Sequence, residues 1–489
     1  MDSSPRFEPL FYRRYANCAG IPFLLLLFLA TLVPPALLLW FLIFFSLVMF
    51  AAAMCFSRYR KEFLFALMGL ALASVLVGIT QSDRAAIDRF AGKEWEGEGS
   101  VLSASVDEIE VKLRLDGVFY PVKVTVETEE VRQVGERLYL SLSFERSGES
   151  GSLCAQEKAP AQVLGRDLLS YALGKVRVRL QKGMDALPQG AFFRAILLGD
   201  RSGLSADVKE AFRRTASSHL LAISGLHVTQ ILWFVHLFLS LFPLSGKGRR
   251  ILLLCSLPLL FLLTGGSVSV FRASFMAAFP LLGGLIRRRS DSVTALVLAG
   301  VLLCTFDPDC IIDPSFVLSF FATFSILIAS APFCLWLWED RFAGKGSAAK
   351  FLFGILSSFV ISVFSFTFLF PFQILLFGEG EFLAPLFALI LIPLFPLCLL
   401  AGVVSSFLLL LPISASVFLS PLSSVAQWFL SLVQILSRSA PPTVNVSSVL
   451  TAFSLLLILS FLLLSRRRIH RLFLLYIGMF LWGIVTLCF

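Results

Sequence analysis

The chain has 489 residues, of which 57% are hydrophobic and 15% charged, with 51 phenylalanines and a mean hydropathy of +0.86. No soluble core could hide so much apolar surface, so the composition excludes a soluble globular enzyme and marks a polytopic α-helical membrane protein. The net charge of +9 does not by itself imply a nucleic-acid partner, because cytoplasmic loops also collect Lys and Arg.

Three apolar stretches open the chain, near 21–35, 36–56 and 63–80. The first ends at Pro34-Pro35 and runs into the second instead of a small-residue cleavage site, so it reads as a span and not a signal peptide. Residues 81–218 then form the one long polar region. Within it, VLSAS (101–105), IEVKLRL (109–115), FYPVKVTVE (119–127) and RLYLSLSF (137–144) alternate with period 2 between short polar or Gly-containing turns. The pattern predicts four or five strands in a small OB-like β-barrel over 81–160. Phe119, Tyr120, Tyr139 and Phe144 supply aromatics for base stacking. However, 10 basic against 16 acidic residues over 81–160 give the wrong field for gripping a phosphate backbone.

Residues 161–218 reverse that balance, with 10 basic and 5 acidic residues. Leu168, Leu169, Ala172, Leu173, Val176 and Leu180 recur at helical spacing, and Arg166, Lys175, Arg177, Arg179 and Lys182 occupy the remaining surface. Such a basic amphipathic segment either rests on lipid headgroups or steers a polyanion. The following stretch, LLGDRSGLSADVKEAFRRT (197–215), brings Asp200, Arg201, Arg213 and Arg214, with Ser205 and Asp207 suited to start a helix that ends near Thr215.

From residue 219 the chain returns to apolar runs: 219–242, 251–265, 272–286, 293–306, 315–338, 351–376, 382–398, 399–412, 447–465 and 472–489. The segment 415–436 is poised between a span and an interfacial helix. The total is about 12–13 spans, some short enough to be re-entrant. Four regions result: N-terminal helices (1–80), the β domain (81–160), the basic helices (161–218) and a helical membrane domain (219–489). Threading these spans puts six basic clusters on one side: Arg13-Arg14, Arg58/Arg60/Lys61, Lys247/Arg249/Arg250, Arg287-Arg288-Arg289, Arg341/Lys345/Lys350 and Arg466-Arg467-Arg468/Arg471. Asp307, Asp309, Asp313, Glu379 and Glu381 fall on the other. By the positive-inside rule the clustered side is cytoplasmic, which places 81–218 and the C-terminus outside.

The chemistry-bearing residues cluster where polar region meets membrane, in SSHLLAISGLHV (217–228). Read as one helix, it puts His219, Ser224 and His227 on roughly one face, with Gly225 leaving room beside them. Polar groups at membrane depth are costly unless they pair or line a wet cavity, so the stretch is expected to face a pore or crevice. Arg272, alone near the start of a span, either snorkels to the interface or offers a positive contact to an anion. The structural alternative is a Ser/Gly packing face whose histidines bond backbone carbonyls. A Ser–His intramembrane hydrolase using Ser224 and His227 is a rival, although no orienting acid is evident and AISGL is not a GxSxG elbow. A small-anion or lipid transporter is a third. Nine cysteines occur singly without Cys/His ligand spacing, so no metal and no cofactor are expected. Cys154 and Cys310, in polar segments, are the pair that a bridge would join.

AILLGDRSGLSADVKEAFRRTASSHLLAISGLHV (195–228), FRASFMA (271–277), DPSFVLSFFATFSIL (313–327) and FLAPLFALILIP (382–393) together resemble the ComEC family of competence proteins, inner-membrane channels for DNA uptake in transformable bacteria. The resemblance implies passage of single-stranded DNA into the cytoplasm, with His219, Ser224, Gly225, His227 and Arg272 along the pathway and Asp200, Arg201, Arg213 and Arg214 in an exterior motif. It implies a channel in the bacterial inner membrane and not an enzyme. Implied partners are single-stranded DNA, membrane lipids, a DNA receptor, a separate nuclease and a cytoplasmic helicase or ATPase; the oligomeric state stays open. Two departures stand out. Many members end in a metallo-β-lactamase-like domain with an HxHxDH motif, whereas His470 is the last histidine here. Ala388 also occupies a position where the family often has Asn.

Overall fold

The computed structural model describes residues 19–24, 26–27, 60–104, 108–127, 136–146, 153–166, 168–287, 291–342, 346–377, 384–410 and 416–439. The expected spans at 36–56, 447–465 and 472–489, most of 21–35, and the clusters at Arg13-Arg14, Arg58, Arg288-Arg289, Lys345 and Arg466–Arg471 lie outside them.

Helix α1 (Arg60–Ile87) leads directly into five strands: β1 (Glu94–Ala104), β2 (Glu108–Leu113), β3 (Val122–Glu127), β4 (Glu136–Arg146) and β5 (Leu153–Arg166). They close in the order β1-β2-β3-β5-β4, with β1 pairing β4 antiparallel and β3 pairing β5 parallel. This is the OB-like barrel that the alternation predicts. Every second residue points inward: Ile109, Val111 and Leu113 on β2 meet Val124 and Val126 on β3 and Leu138, Leu140, Leu142 and Phe144 on β4. Gly99 is bare because a β-carbon there would lie within about 3 Å of Val111, Leu113 and Leu140 side chains. Strand β5 carries Pro160 and pairs with β4 through register shifts. Those interruptions erase the period-2 signal, which is why no fourth alternating run extends into a fifth by sequence alone.

The barrel stands on the helices through the turn before β3. Asp83, near the end of α1, accepts hydrogen bonds from the Phe119 and Tyr120 backbone N–H groups at 2.8 and 2.9 Å. The Tyr120 hydroxyl donates to the Thr305 carbonyl at 3.0 Å, and Lys123 pairs with Asp307 at 3.0 Å. Of the four aromatics considered for stacking, Phe144 is therefore in the core and Tyr120 in the docking contact. Phe119 and Tyr139 remain exposed.

Helices α2 (Leu168–Asp185), α3 (Gly190–Leu198) and α4 (Ala206–Arg214) follow, then α5 (Gly225–Ser240), α6 (Gly246–Leu263), α7 (Val268–Leu285) and α8 (Ser292–Phe306). Helix α9 (Pro314–Ser325) passes through a π-helical turn (Ile326–Ser330) into α10 (Ala331–Leu337); α11 (Ser347–Phe377), α12 (Ala384–Leu410) and α13 (Ser416–Arg438) complete the set. Among the described residues, six helical stretches are long and apolar enough to cross a membrane, and α5 and α8 are shorter apolar helices. The protein is thus a polytopic helical membrane protein with a small barrel.

Several expectations change or are resolved. The spans read at 382–398 and 399–412 are one helix, α12, which contains Pro393 and Pro396. Each proline forfeits a backbone hydrogen bond, but no glycine or polar residue near them stops the helix. The segment left open at 415–436 is α13, long and apolar enough to span. Helices α2–α4 are not merely laid on the surface. Met184, Phe192, Phe193, Ile196 and Phe212 share one core with Phe395 of α12 and Ala426 and Phe429 of α13. Gly402 of α12 admits Phe193 and Leu197, which would stand about 3 Å from a β-carbon there. Cys310 Sγ lies 3.7 Å from Cys304 Sγ; the side chain of Cys154, its expected partner, lies outside the described ones.

Candidate functional site

The chain turns from α4 into α5 through a tight hinge. Ala216 adopts φ 49°, a left-handed conformation that costs a residue with a β-carbon about 1 kcal/mol. Flanking it, Thr215 and Ser217 are buried with their hydroxyl oxygens 2.6 Å apart. A single 3-10 turn (Ser218–Leu220) follows, and α5 begins only at Gly225. His219 and His227 therefore do not share a helix face, contrary to the periodicity argument. Ser224 is extended (φ −125°, ψ 177°) and serves as the N-cap that separates them. His219 is exposed, with Nδ1 3.1 Å from the Ala216 carbonyl, and lies within electrostatic reach of His227.

His227 occupies the third position of α5 and folds back over its start. Its Nδ1 accepts from the Ser224 backbone N–H at 3.2 Å and lies 3.0 Å from Ser224 Oγ. This is half of a capping box with histidine in place of the usual Glu or Gln. Accepting a backbone N–H fixes the neutral tautomer with the proton on Nε2. The ring is fully buried, edge-on to Phe395 at 4.8 Å between centroids. Among the described residues its Nε2 meets strict hydrogen-bond geometry with no partner, and the Leu220 carbonyl is the acceptor within its reach. One turn further along α5, the buried Gln230 Oε1 is also unpartnered. Sequence reasoning missed Gln230, although a lone amide three residues after His227 in an apolar helix was the available signal.

Arg272 reaches this place from α7. Only 6% of it is exposed, so it does not snorkel. One Nη1 donates to Thr323 Oγ1 of α9 and lies 3.7 Å from Met276 Sδ. Its Nε is buried without a partner. Nη2 lies against the start of α5, where a β-carbon on Gly225 would stand 3.0 Å away. That contact explains the glycine: a side chain there would displace the guanidinium. Among the described residues no carboxylate pairs with Arg272. The structure thus brings Ser224, Gly225, His227 and Arg272 to one place, with His219 beside it. A buried cation and the amino end of a 16-residue helix there both favour negative charge.

The motif expected outside, Asp200, Arg201, Arg213 and Arg214, is engaged locally. Asp200 accepts from Ser202 N–H (3.1 Å) and Oγ (2.6 Å) and from Gln181 Nε2 (3.2 Å), with Arg194 Nε 3.7 Å away. Burial alone would raise its pKa, but the Ser202 hydrogen bonds, Arg194 and Gln181 outweigh it and leave the carboxyl below its ordinary value. Arg201 donates to the Leu221 carbonyl at 3.2 Å, tying the motif to the hinge before α5. Arg213 is held by Glu210 in a two-point exposed pair, and Arg214 also has an interaction. Arg177, read only as part of the basic face, donates to the Leu198 carbonyl at 2.9 Å and reaches the Leu263 carbonyl at 3.5 Å. It caps the C-terminal ends of α3 and α6 together. Its place between Leu173, Val176 and Leu180 on the apolar stripe was the clue. Much of the basic charge over 161–218 is therefore spent on helix ends and local acids.

Comparisons with known proteins bear on this region. A family model described as "Competence protein" matches residues 196–468. The chain is 31% identical over 226 residues to ComE operon protein 3 of Bacillus subtilis (strain 168), a match covering 46% of this chain and 27% of that protein's length. No solved structure matches.

Proposed function

The chain belongs to the competence protein family, and from that membership we propose that it passes single-stranded DNA across the bacterial inner membrane to the cytoplasm. The observation that carries this reading is the buried Arg272, set against the amino end of α5 with no carboxylate in the protein's described part to neutralise it. A buried unpaired charge is costly. A phosphate of a passing strand supplies the missing negative charge, and the unpartnered Nε2 of His227 and Oε1 of Gln230 suit a path that is wet when DNA is absent.

Orientation follows from where charge collects. The barrel docks at the ends of α1 and α8, through Asp83, Thr305 and Asp307. Lys247, Arg249 and Arg250 begin α6, and Arg250 bonds the Gly284 carbonyl at the far end of α7. Positive-inside reasoning supports a cytoplasmic basic end and an exterior barrel. The exterior barrel and α2–α4 receive the strand, and α5 with α7 takes it inward. A DNA receptor, a nuclease that removes one strand and a cytoplasmic ATPase act as separate partners.

The test uses a transformable host relying on this protein. With Arg272→Ala or His227→Ala expressed at wild-type level, labelled DNA should accumulate outside and fail to reach the cytoplasm. Uptake at the wild-type rate would refute the pathway.

The 3.0 Å contact between Ser224 Oγ and His227 Nδ1 supports a second reading, an intramembrane serine hydrolase. Against it, Nδ1 already accepts a backbone N–H and no carboxylate among the described residues orients Nε2, which leaves the base weakened and unassisted there. A fluorophosphonate probe that labels Ser224 in membranes would favour the hydrolase; absence of labelling on folded protein would remove it.

A further inference from the structure

The loop that carries the barrel's docking contacts also holds a pair of thiols. Cys304 lies in the last turn of α8 and Cys310 in the 3-10 turn Pro308–Ile312 that follows. Both are buried, and their sulfur atoms stand 3.7 Å apart, in van der Waals contact. The backbone between them is already bent into a closed ring: Cys310 N–H donates to the Asp307 carbonyl at 3.1 Å, and Asp313 N–H donates to the Cys310 carbonyl at 3.1 Å. Within the same short loop, the Thr305 carbonyl receives the Tyr120 hydroxyl and Asp307 receives Lys123. Cys304 and Cys310 pack with Phe23, Leu70, Ala73, Leu76 and Phe316, so the loop is wedged between α1 and α9.

We propose that Cys304 and Cys310 form a disulfide bond in the mature protein, which locks the platform on which the barrel stands. The proposal rests on the orientation argued above, which puts this loop in the oxidising compartment outside the cytoplasm. The geometry needs a small approach of two sulfurs already in contact, by side-chain rotation within a ring of five intervening residues. Reaction occurs while the chain is folding, before the pair is enclosed. The thiolate of one cysteine attacks the disulfide of a protein oxidant and releases one of the oxidant's thiols. The thiolate of the second cysteine then displaces the mixed disulfide. One sulfur–sulfur bond forms in this chain and one breaks in the oxidant; two electrons and two protons pass from the two cysteines to the oxidant, which leaves as a dithiol. Its consequence is mechanical: the Thr305 carbonyl and Asp307 carboxylate stay fixed relative to α8, so the barrel cannot tilt away from Asp83.

The experiment takes full-length protein from its native membrane, quenched in acid and unfolded. Free thiols are blocked with light N-ethylmaleimide, the sample is reduced, and new thiols are blocked with heavy reagent before peptide mapping. A Lys112→Cys variant, treated with a membrane-impermeant maleimide on intact cells, reports separately on the side that the barrel occupies. The expected result is heavy label on both Cys304 and Cys310, and an unreduced peptide spanning both that is lighter by two hydrogens. Light label on both, on a protein whose barrel labels from outside, overturns the bridge and leaves the orientation standing. Light label together with a barrel that does not label from outside overturns bridge and orientation at once. Cys310 joined to any other cysteine also overturns it.

Discussion

Replacing Arg272 by Met separates a ligand-binding cation from a structural one. Without DNA the guanidinium is buried and, among the described residues, has no carboxylate partner; it bonds Thr323 and makes a loose contact with Met276. Methionine keeps most of the volume and removes the charge. Loss of the Thr323 bond costs about 1 kcal/mol, and Thr323 is not orphaned because its hydroxyl still donates to the Ser319 carbonyl at 2.9 Å. Relief of an uncompensated buried charge returns more, so the empty variant should be more stable by about 1–3 kcal/mol. DNA behaves oppositely. A strand at one hundred times its dissociation constant stabilises the wild type by about 2.7 kcal/mol through mass action, and that gain should vanish in Arg272→Met. The assay is unfolding of detergent-purified protein with and without a single-stranded oligonucleotide. If the empty variant is instead weaker by about 2 kcal/mol or more, Arg272 is a satisfied structural residue and the reasoning fails.

Gly225→Ala pushes a methyl group to 3.0 Å from Arg272 Nη2; DNA uptake should fall several-fold with little change in stability, and unchanged uptake would detach Gly225 from the pathway. His227→Gln keeps an acceptor for the Ser224 N–H, whereas His227→Ala removes it. Unfolding should show the alanine variant weaker by about 1 kcal/mol beyond the glutamine variant. Arg177→Ala strips the capping group from two helix ends and should cost about 2–4 kcal/mol, with expression and melting as readouts. Asp200 sits below its ordinary carboxylate pKa, so its contribution is complete above the unfolded value of about 4 and is lost as pH falls through the lower folded value. Asp200→Asn should accordingly be weaker near neutrality and show a shallower loss of stability on acidification.

The barrel was legible because β2, β3 and β4 have clean alternation with one face buried, whereas β5 hides behind Pro160 and its register shifts. Most membrane helices were legible from apolar runs alone. The boundary within 382–412 was not, since proline signals a break without deciding whether the surrounding helix survives it. At the candidate site, SSHLLAISGLHV does hold a buried polar cluster, but not in the single-helix geometry that its periodicity implies. Ser224 ends one element and starts another, so His219 and His227 meet across a hinge and not along a helix. Arg272 was visible as an anomaly, but its contact with Gly225 is tertiary and no local pattern encodes it. The same holds for Arg177, whose two carbonyl partners come from helices 21 and 86 residues away.

The most direct test is flux of labelled DNA into sealed vesicles containing the purified protein oriented with its barrel outward. The account predicts that single-stranded DNA reaches the lumen under an inward driving force, that double-stranded DNA does not, and that Arg272→Ala slows passage while leaving the protein folded. Equal exclusion of both forms by folded protein, or passage indifferent to Arg272, would contradict it.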